Sequence, residues 1–266
     1  MNKLLTFLLS LSFVFLFSGS LYGDDFQDGL DAARKGDYKT AYKLWLPLAE
    51  QKNAIAQFNL GIMYDQGKGV EQNVMRAFKL YKVSAEQGYS KAQFNLGEMY
   101  REGGFVVQDF EKALKWYRLS AEQGLAEAQC NLGLMYEEGQ GVPQDFKEAV
   151  KWWKLSAEQG QAEAQYNLGL MYDDGQGVLQ NYKEAVKWYR LSAEQGYASA
   201  QYNLGLMYAE GTGVPQDYVL AYIWWNISGS NGNKNAVENR DLIEQKISPS
   251  QIEKAQDMAS NWQQKK

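Results

Sequence analysis

Histidine is absent from this sequence of 266 residues, and cysteine occurs once, at Cys130. The lack of histidine removes the commonest general base and most zinc sites, and one thiolate cannot form a metal cage. A single cysteine also excludes an intramolecular disulfide, so stability must come from packing. Two interpretations of Cys130 stay open, a small side chain that fills the core or groove and an intermolecular disulfide. The sequence therefore predicts no catalytic residues, no metal and no cofactor.

Basic residues are outnumbered by acidic ones, 27 against 32, which leaves a net charge of −5. Binding to the phosphates of a nucleic acid requires a basic face. The charge balance thus argues against a nucleic-acid partner, while an apolar content of 45% is enough to bury a continuous core.

Long apolar runs are confined to the start of the chain. Lys3 precedes the apolar run Leu4–Phe17, and small residues follow at 18–20. A run of about 14 residues is shorter than the roughly 20 that a membrane helix needs. We interpret residues 1–23 as a signal peptide, with an uncleaved anchor as the alternative. The expected product is exported, periplasmic or secreted, without stable membrane insertion.

A period of 36 residues runs through most of the chain. The dipeptide Ala-Gln recurs without slip, and an alanine ladder keeps the same register. A fixed period of 20–50 residues is typical of solenoids, because one unit cannot bury its own apolar face. The dipeptides begin at Ala56, Ala92, Ala128, Ala164 and Ala200, and the ladder comprises Ala41, Ala77, Ala113, Ala149, Ala185 and Ala221.

One repeat predicts two helices joined by a glycine loop. Apolar residues in Ala162–Asp174 are spaced i, i+4, i+7, i+8, which predicts helix A of the repeat. After the loop at 175–178, Asn181 is a predicted N-cap, and Glu184 three residues later suggests a capping box. Helix B is expected from Tyr182 to about residue 195. The short connection predicts antiparallel neighbours.

A glycine recurs inside each helix A, although glycine there costs about 1 kcal/mol relative to alanine. We expect a compensating close approach of helix B at its alanine ladder, with aromatic columns filling the remaining core. The glycines are Gly61, Gly97, Gly133, Gly169 and Gly205. The aromatic columns are Tyr81, Tyr117, Trp153, Tyr189 and Trp225, and beside them Trp116, Trp152, Trp188 and Trp224.

The residues 162–172, 175–178, 181–188 and 193–196 together resemble the Sel1-like repeat, a relative of the tetratricopeptide repeat. The resemblance implies an all-α fold, a right-handed superhelix of antiparallel helix pairs. It suggests a degenerate pair at 24–52 and capping helices at 233–266. Between them, five repeats are predicted, at 53–88, 89–124, 125–160, 161–196 and 197–232.

The loop after the second of these helices A departs from the pattern. Phe105 stands where the other loops have their second glycine. Either the loop takes another conformation or Phe105 bears strain. An exposed aromatic contact and a benign local variation are both open interpretations.

In tetratricopeptide-like superhelices helix A lines the concave surface, so the resemblance places partner binding on the side of helix A away from the core. The acids of this face outnumber its bases, which suits a protein or peptide with apolar anchors and basic flanks. Two alternatives stay open, asparagines that satisfy the repeat's own loops and acids that form a solvated face. The candidate residues are Phe58, Phe94, Tyr166, Tyr202, Asn95, Asn131, Asn167, Asn203, Leu134, Leu170, Glu137, Glu138, Asp173 and Asp174.

The predicted function is that of a non-enzymatic scaffold or adaptor. The alternative is a hydrolase of the cell envelope or a β-lactam-binding protein, as suggested for some Sel1-like relatives with many cysteines. The sequence names neither the partner nor the oligomeric state.

Overall fold

A computed structural model describes residues 24–264, and within that range it contains fourteen α-helices, one 3₁₀ turn and no strand. The all-α prediction is confirmed, and the proposed signal peptide at 1–23 lies outside the described residues. The helices are α1 (24–34), α2 (Tyr38–Glu50), α3 (Ala54–Gln66), α4 (Val74–Glu86), α5 (Ser90–Glu102), α6 (Phe110–Glu122), α7 (Ala126–Glu138), α8 (Phe146–Glu158), α9 (Ala162–Asp174), α10 (Tyr182–Glu194), α11 (Ala198–Glu210), α12 (Tyr218–Ser230), α13 (Lys234–Ile243) and α14 (Pro249–Gln264), with the 3₁₀ turn at Glu244–Lys246.

Consecutive helices pack as pairs in a repeat solenoid. The helices A are α3, α5, α7, α9 and α11, and each packs on the helix B that follows it. The chain forms two compact units, which divide between residues 123 and 124. The N-terminal unit holds α1–α6 and the C-terminal unit holds α7–α14. From residue 24 to 264, no helix combines the length and the apolar character that crossing a bilayer would require.

Each helix B from α4 to α12 begins at a side-chain cap. The Asn181 carboxamide oxygen accepts hydrogen bonds from the backbone N–H groups of Lys183 and Glu184, at 3.1 and 3.2 Å. A capping box also requires the Glu184 side chain to accept from the backbone N–H of Asn181, and this part of the prediction is wrong. The N–H of Asn181 donates instead to the carbonyl of Tyr172 at 2.8 Å, and Glu184 pairs with Lys187 at 3.2 Å. The loop returns the chain to the last turn of helix A, which satisfies that N–H first.

The glycine inside each helix A faces an aromatic ring of helix B. A Cβ built on Gly169 would lie 2.6 Å from ring carbons of Tyr189, far inside van der Waals contact. The close approach is as predicted, but its partner is the aromatic column rather than the alanine ladder. The same relation joins Gly61 to Tyr81, Gly97 to Tyr117, Gly133 to Trp153 and Gly205 to Trp225.

The two aromatic columns differ in burial. All five members of the first column are core residues, as predicted, with Trp153 and Tyr189 fully buried. In the second column Trp152 and Trp188 are buried, whereas Trp116 and Trp224 are only half-buried. Trp116 and Trp224 nevertheless pack against the buried core, at its edge.

The loop that contains Phe105 takes a different conformation from its counterparts. Positive φ angles occur at Gly103 and Gly104, at 76° and 88°, so Phe105 itself escapes the left-handed region. Its ring is 45% exposed and lies 6.0 Å from the ring of Phe78. The altered loop therefore relieves strain and places Phe105 on a neighbouring aromatic side chain.

Candidate partner-binding surface

The side chains of helix A that point away from the core are half-exposed in the C-terminal unit. We call these residues the helix-A surface: Leu134, Glu137 and Glu138 on α7, Tyr166, Asn167, Leu170, Asp173 and Asp174 on α9, and Tyr202, Asn203, Leu206 and Glu210 on α11. Tyr166, Leu170 and Tyr202 each pack one side against the buried core. Their other side reaches solvent, so apolar area is available at fixed positions on two helices, α9 and α11.

One of the predicted surface residues is buried. Phe58 in α3 is 7% exposed, and its ring lies 5.7 Å from that of Tyr81 and 5.1 Å from that of Tyr89. Phe58 is thus a core residue and not an available anchor. Phe94 in α5 remains half-exposed.

Cys130 is a core residue, which agrees with the first of its two interpretations. The side chain is 6% exposed. Burial, with a smaller contribution from Glu163, raises the pKa of the thiol to about 12. A buried thiol that stays protonated is a poor nucleophile and a poor candidate for an intermolecular disulfide.

Tyr166 sits in a small aromatic cluster. Its ring centre is 5.1 Å from that of Tyr197 and 6.0 Å from that of Tyr189. Burial raises the pKa of Tyr166, although a hydrogen bond with Asn203 acts in the opposite direction. The cluster holds the Tyr166 ring in place, so little side-chain entropy would be lost when a partner packs against it.

Two asparagines of the ladder hydrogen-bond tyrosines of the repeats themselves. Asn203 hydrogen-bonds Tyr166 and Tyr189, and Asn95 hydrogen-bonds Tyr81. These contacts favour the structural interpretation at both positions.

Where the aromatic column of the preceding helix B holds a tryptophan, the asparagine has no tyrosine hydroxyl to bond, because an indole offers no oxygen. Trp45 precedes Asn59, whose buried Nδ2 has no partner among the described residues. Asn167 follows Trp153 and likewise makes no side-chain hydrogen bond in the described chain. Asn167 therefore keeps its amide available, and Asn131 is half-buried on α7.

Carboxylates concentrate at the C-terminal ends of α7 and α9. Burial raises the pKa of Asp173, and the nearby charges of Asp174 and Glu210 add to the effect, whereas the hydroxyl of Tyr189, which donates to Asp173 at 3.1 Å, lowers it. Burial and then Glu138 raise the pKa of Glu137. None of the four predicted acids forms an ion pair within residues 24–264. This part of the surface is electrostatically strained and would gain from a cationic partner.

On the corresponding face of α5 in the N-terminal unit, acidic and basic side chains pair with each other. Arg101 pairs with Glu98 at 3.0 Å and with Glu102 at 3.5 Å, and it donates to the hydroxyl of Tyr117 at 3.1 Å. The excess of acid seen on α7 and α9 is therefore not found on α5. Across the described residues, no group of three or more acids and cysteines has the arrangement of a metal site.

Comparison with known proteins decides the family. The sequence profile of the Sel1 repeat matches residues 21–53, 54–89, 90–125, 126–161, 162–197 and 198–233. The chain belongs to the Sel1 repeat family. Sel1 repeat proteins are generally scaffolds for protein interactions, and their fold is typically non-enzymatic. None of the curated proteins matches this chain.

Two solved structures resemble this Sel1 repeat protein closely. One is c5321, described as a protective antigen present in uropathogenic Escherichia coli strains, with 36% identity and a TM-score of 0.83 over 91% of this chain. That alignment covers 53% of c5321, so this chain spans about half its length. The other is a Sel1 repeat protein from Oxalobacter formigenes, with 36% identity and a TM-score of 0.78 over 89% of this chain and 96% of that one.

Proposed function

We propose that this Sel1 repeat protein is a non-enzymatic scaffold of the periplasm or the exterior of the cell, and that it binds a protein or peptide on the helix-A surface of its C-terminal unit. The observation that carries the proposal is the pairing of half-exposed anchors with unpaired acids. Tyr166, Leu170 and Tyr202 supply rigid apolar contacts, and no described base neutralises the adjacent carboxylates.

The partner that fits carries apolar side chains flanked by lysine or arginine. Apolar anchors seated on fixed aromatic rings supply most of the affinity in such interfaces. Opposite charges raise the association rate and exclude acidic competitors. Asn167, whose amide is not used within the repeat, is placed to hydrogen-bond the backbone of an extended segment.

The experiment is a charge reversal with a matched control. The test variant changes Glu138, Asp174 and Glu210 to lysine, three exposed acids of the helix-A surface. The control variant changes Glu158, Glu194 and Glu238 to lysine, which alters the net charge equally but lies off that surface. Both variants and the parent are titrated, at low and high salt, with a partner recovered by crosslinking in the native compartment.

We expect the test variant to lose at least about tenfold in affinity and most of its salt dependence. The control should stay within about twofold of the parent. Equal losses in both variants would reject the helix-A surface as the binding face. Recovery of the parent from cytoplasm alone, with residues 1–23 intact, would reject the proposed location.

A further inference from the structure

A cleft in the N-terminal unit lies between α2, α4 and the loop that joins α3 to α4, and it shares no residue with the helix-A surface. Its volume is about 590 Å³. Lys39 and Lys43 line it from α2 and Arg76 lines it from α4, against one acid, Glu71 of the loop. In a protein with a net charge of −5, three cations around one cleft need a local explanation.

Position-matched residues show why these cations are unpaired. Lys151 and Lys187 in later helices B each pair with a glutamate three residues earlier, Glu148 at 3.0 Å and Glu184 at 3.2 Å. In α2 that position is Thr40, so Lys43 has no such partner.

In α4 the same position is Arg76, which adds a charge of the same sign instead of neutralising Lys79. Within the part of the chain that the structure describes, Lys39, Lys43, Arg76 and Lys79 take part in no ion pair. All four are exposed. The carboxylate of Asp37 attracts Lys39 and Lys43 but forms no ion pair with either among the described residues.

Two tyrosine hydroxyls add hydrogen-bond donors to the same cleft. The hydroxyl oxygens of Tyr42 and Tyr64 lie 3.0 Å apart, and Nη1 of Arg76 donates to Tyr64 at 3.1 Å. One hydroxyl hydrogen is used between the two tyrosines, which leaves the other to donate to a further acceptor. The N-terminus of α4 also opens here, at Asn73, and its dipole favours negative charge. The cleft thus presents donors and positive charge to one acceptor group.

An apolar cleft of about 290 Å³ adjoins the cationic one and shares Tyr64 and Arg76 with it. Leu46, Leu60 and Leu80 line it. Lys79 and Glu50 complete its rim. A ligand that filled both clefts would therefore need an anionic group on one side and a short aliphatic group on the other.

The geometry points to a binding site for a small amphipathic anion in the N-terminal unit. A carboxylate or phosphate contacts Arg76, Lys43 and the leftover hydroxyl, because charge-assisted hydrogen bonds to an anion are the strongest that these groups can make. The aliphatic group packs between the leucines of the adjoining cleft. A free aliphatic acid, an alkyl phosphate and the C-terminal residue of a peptide with an apolar side chain share this chemistry.

Isothermal titration calorimetry of the purified protein tests the site with five probes. The amphipathic probes are octanoate, octyl phosphate and an acetylated tripeptide that ends in a leucine with a free carboxylate. Inorganic phosphate and octanol each carry one half of the chemistry. We expect at least one amphipathic anion to bind with one-to-one stoichiometry, at least about tenfold tighter than inorganic phosphate or octanol. The preferred amphipathic probe identifies the source of the ligand.

Variants separate this site from nonspecific attraction. Lys43→Gln with Arg76→Gln should weaken binding at least about tenfold. Lys147→Gln with Lys183→Gln removes the same charge from exposed positions that match Lys39 in later repeats, and should stay within about twofold. Tyr42→Phe, which keeps the ring, should weaken binding several-fold through the lost hydroxyl.

Three outcomes would overturn the inference. One is that no amphipathic probe shows saturable binding. Another is equal binding of inorganic phosphate and octyl phosphate, which would remove the aliphatic half. The last is an equal loss in the Lys43/Arg76 and Lys147/Lys183 variants while circular dichroism shows all of them folded.

Discussion

The side-chain amide of Gln195 donates to the side-chain oxygen of Gln165 at 2.8 Å, and Gln165 in turn donates to the carbonyl of Ala157 at 3.1 Å. Gln165 is the glutamine of the repeated Ala-Gln dipeptide and is buried. Gln165, in α9, thereby connects the C-terminal end of α8 with the C-terminal end of α10. In the N-terminal unit, Gln57 makes the same two contacts, with Ala49 at 3.0 Å and with Gln87 at 2.6 Å.

Replacement of Gln165 by leucine should lower the free energy of unfolding by about 2 kcal/mol, because it removes two hydrogen bonds of a buried side chain, each worth about 1 kcal/mol. The Ala157 carbonyl keeps its bond from the N–H of Gly160 at 3.0 Å. Urea denaturation followed by circular dichroism measures the change. The same substitution at Gln176, an exposed loop residue, is the control and should cost less than about 0.5 kcal/mol. Equal effects at the two positions would contradict the relay of hydrogen bonds.

Gly169→Ala should destabilise the protein, although alanine is ordinarily the better helix former by about 1 kcal/mol. The new Cβ would lie 2.6 Å from the Tyr189 ring, and such overpacking costs about 1–3 kcal/mol. Thermal unfolding gives the sign of the change. Gly169→Ala combined with Tyr189→Leu should cost less than the sum of the two single changes, and strict additivity would argue against the contact.

Two adjacent tryptophans provide a matched pair. Nε1 of Trp153 donates to the carbonyl of Cys130 at 3.1 Å, whereas the buried Nε1 of Trp152 has no acceptor among the described residues. Trp153→Phe should therefore be more destabilising than Trp152→Phe by about 1 kcal/mol or more. Equilibrium unfolding of both variants under one set of conditions tests this, and the reverse order would refute it.

The acids of the C-terminal unit predict a pH dependence. Because the folded pKa of Asp173 lies above its unfolded value, chiefly through burial, the folded state favours its neutral form. That stabilisation is present at low pH and is lost as the pH rises through the folded pKa. Asp173→Asn should thus be at least as stable as the parent at pH 7, and its advantage should shrink toward pH 4.

Melting temperatures between pH 4 and pH 7 measure that difference, with Glu158→Gln as an exposed control on α8. A clear loss of stability in Asp173→Asn at pH 7 would mean that the hydrogen bond from Tyr189 outweighs the burial of the carboxylate.

Local patterns predicted the helices well because their signals lie within one repeat. The stripe in Ala162–Asp174 and the cap at Asn181 both correspond to observed features. Predictions that needed a second repeat fared less well. The buried state of Phe58 depends on Tyr81 and on Tyr89 of the next repeat.

The roles of the recurring polar residues were likewise beyond local patterns. An asparagine at one repeat position is engaged or free according to whether the helix before it carries a tyrosine or a tryptophan, as Asn203 and Asn167 show. No single repeat contains that information.

By itself, the sequence determined the all-helical solenoid, because a fixed period and a recurring apolar stripe leave each helix pair only its neighbours to pack against. Tertiary structure alone decided which of the periodic side chains are buried and hydrogen-bonded inside the fold and which remain exposed to a partner or ligand. Burial and hydrogen-bond partners depend on distances between repeats, and those distances emerge only when the rings, glycines and glutamines of successive repeats pack together. Hence Gln165 is buried as a structural tie, whereas Arg76 stays exposed beside a cleft.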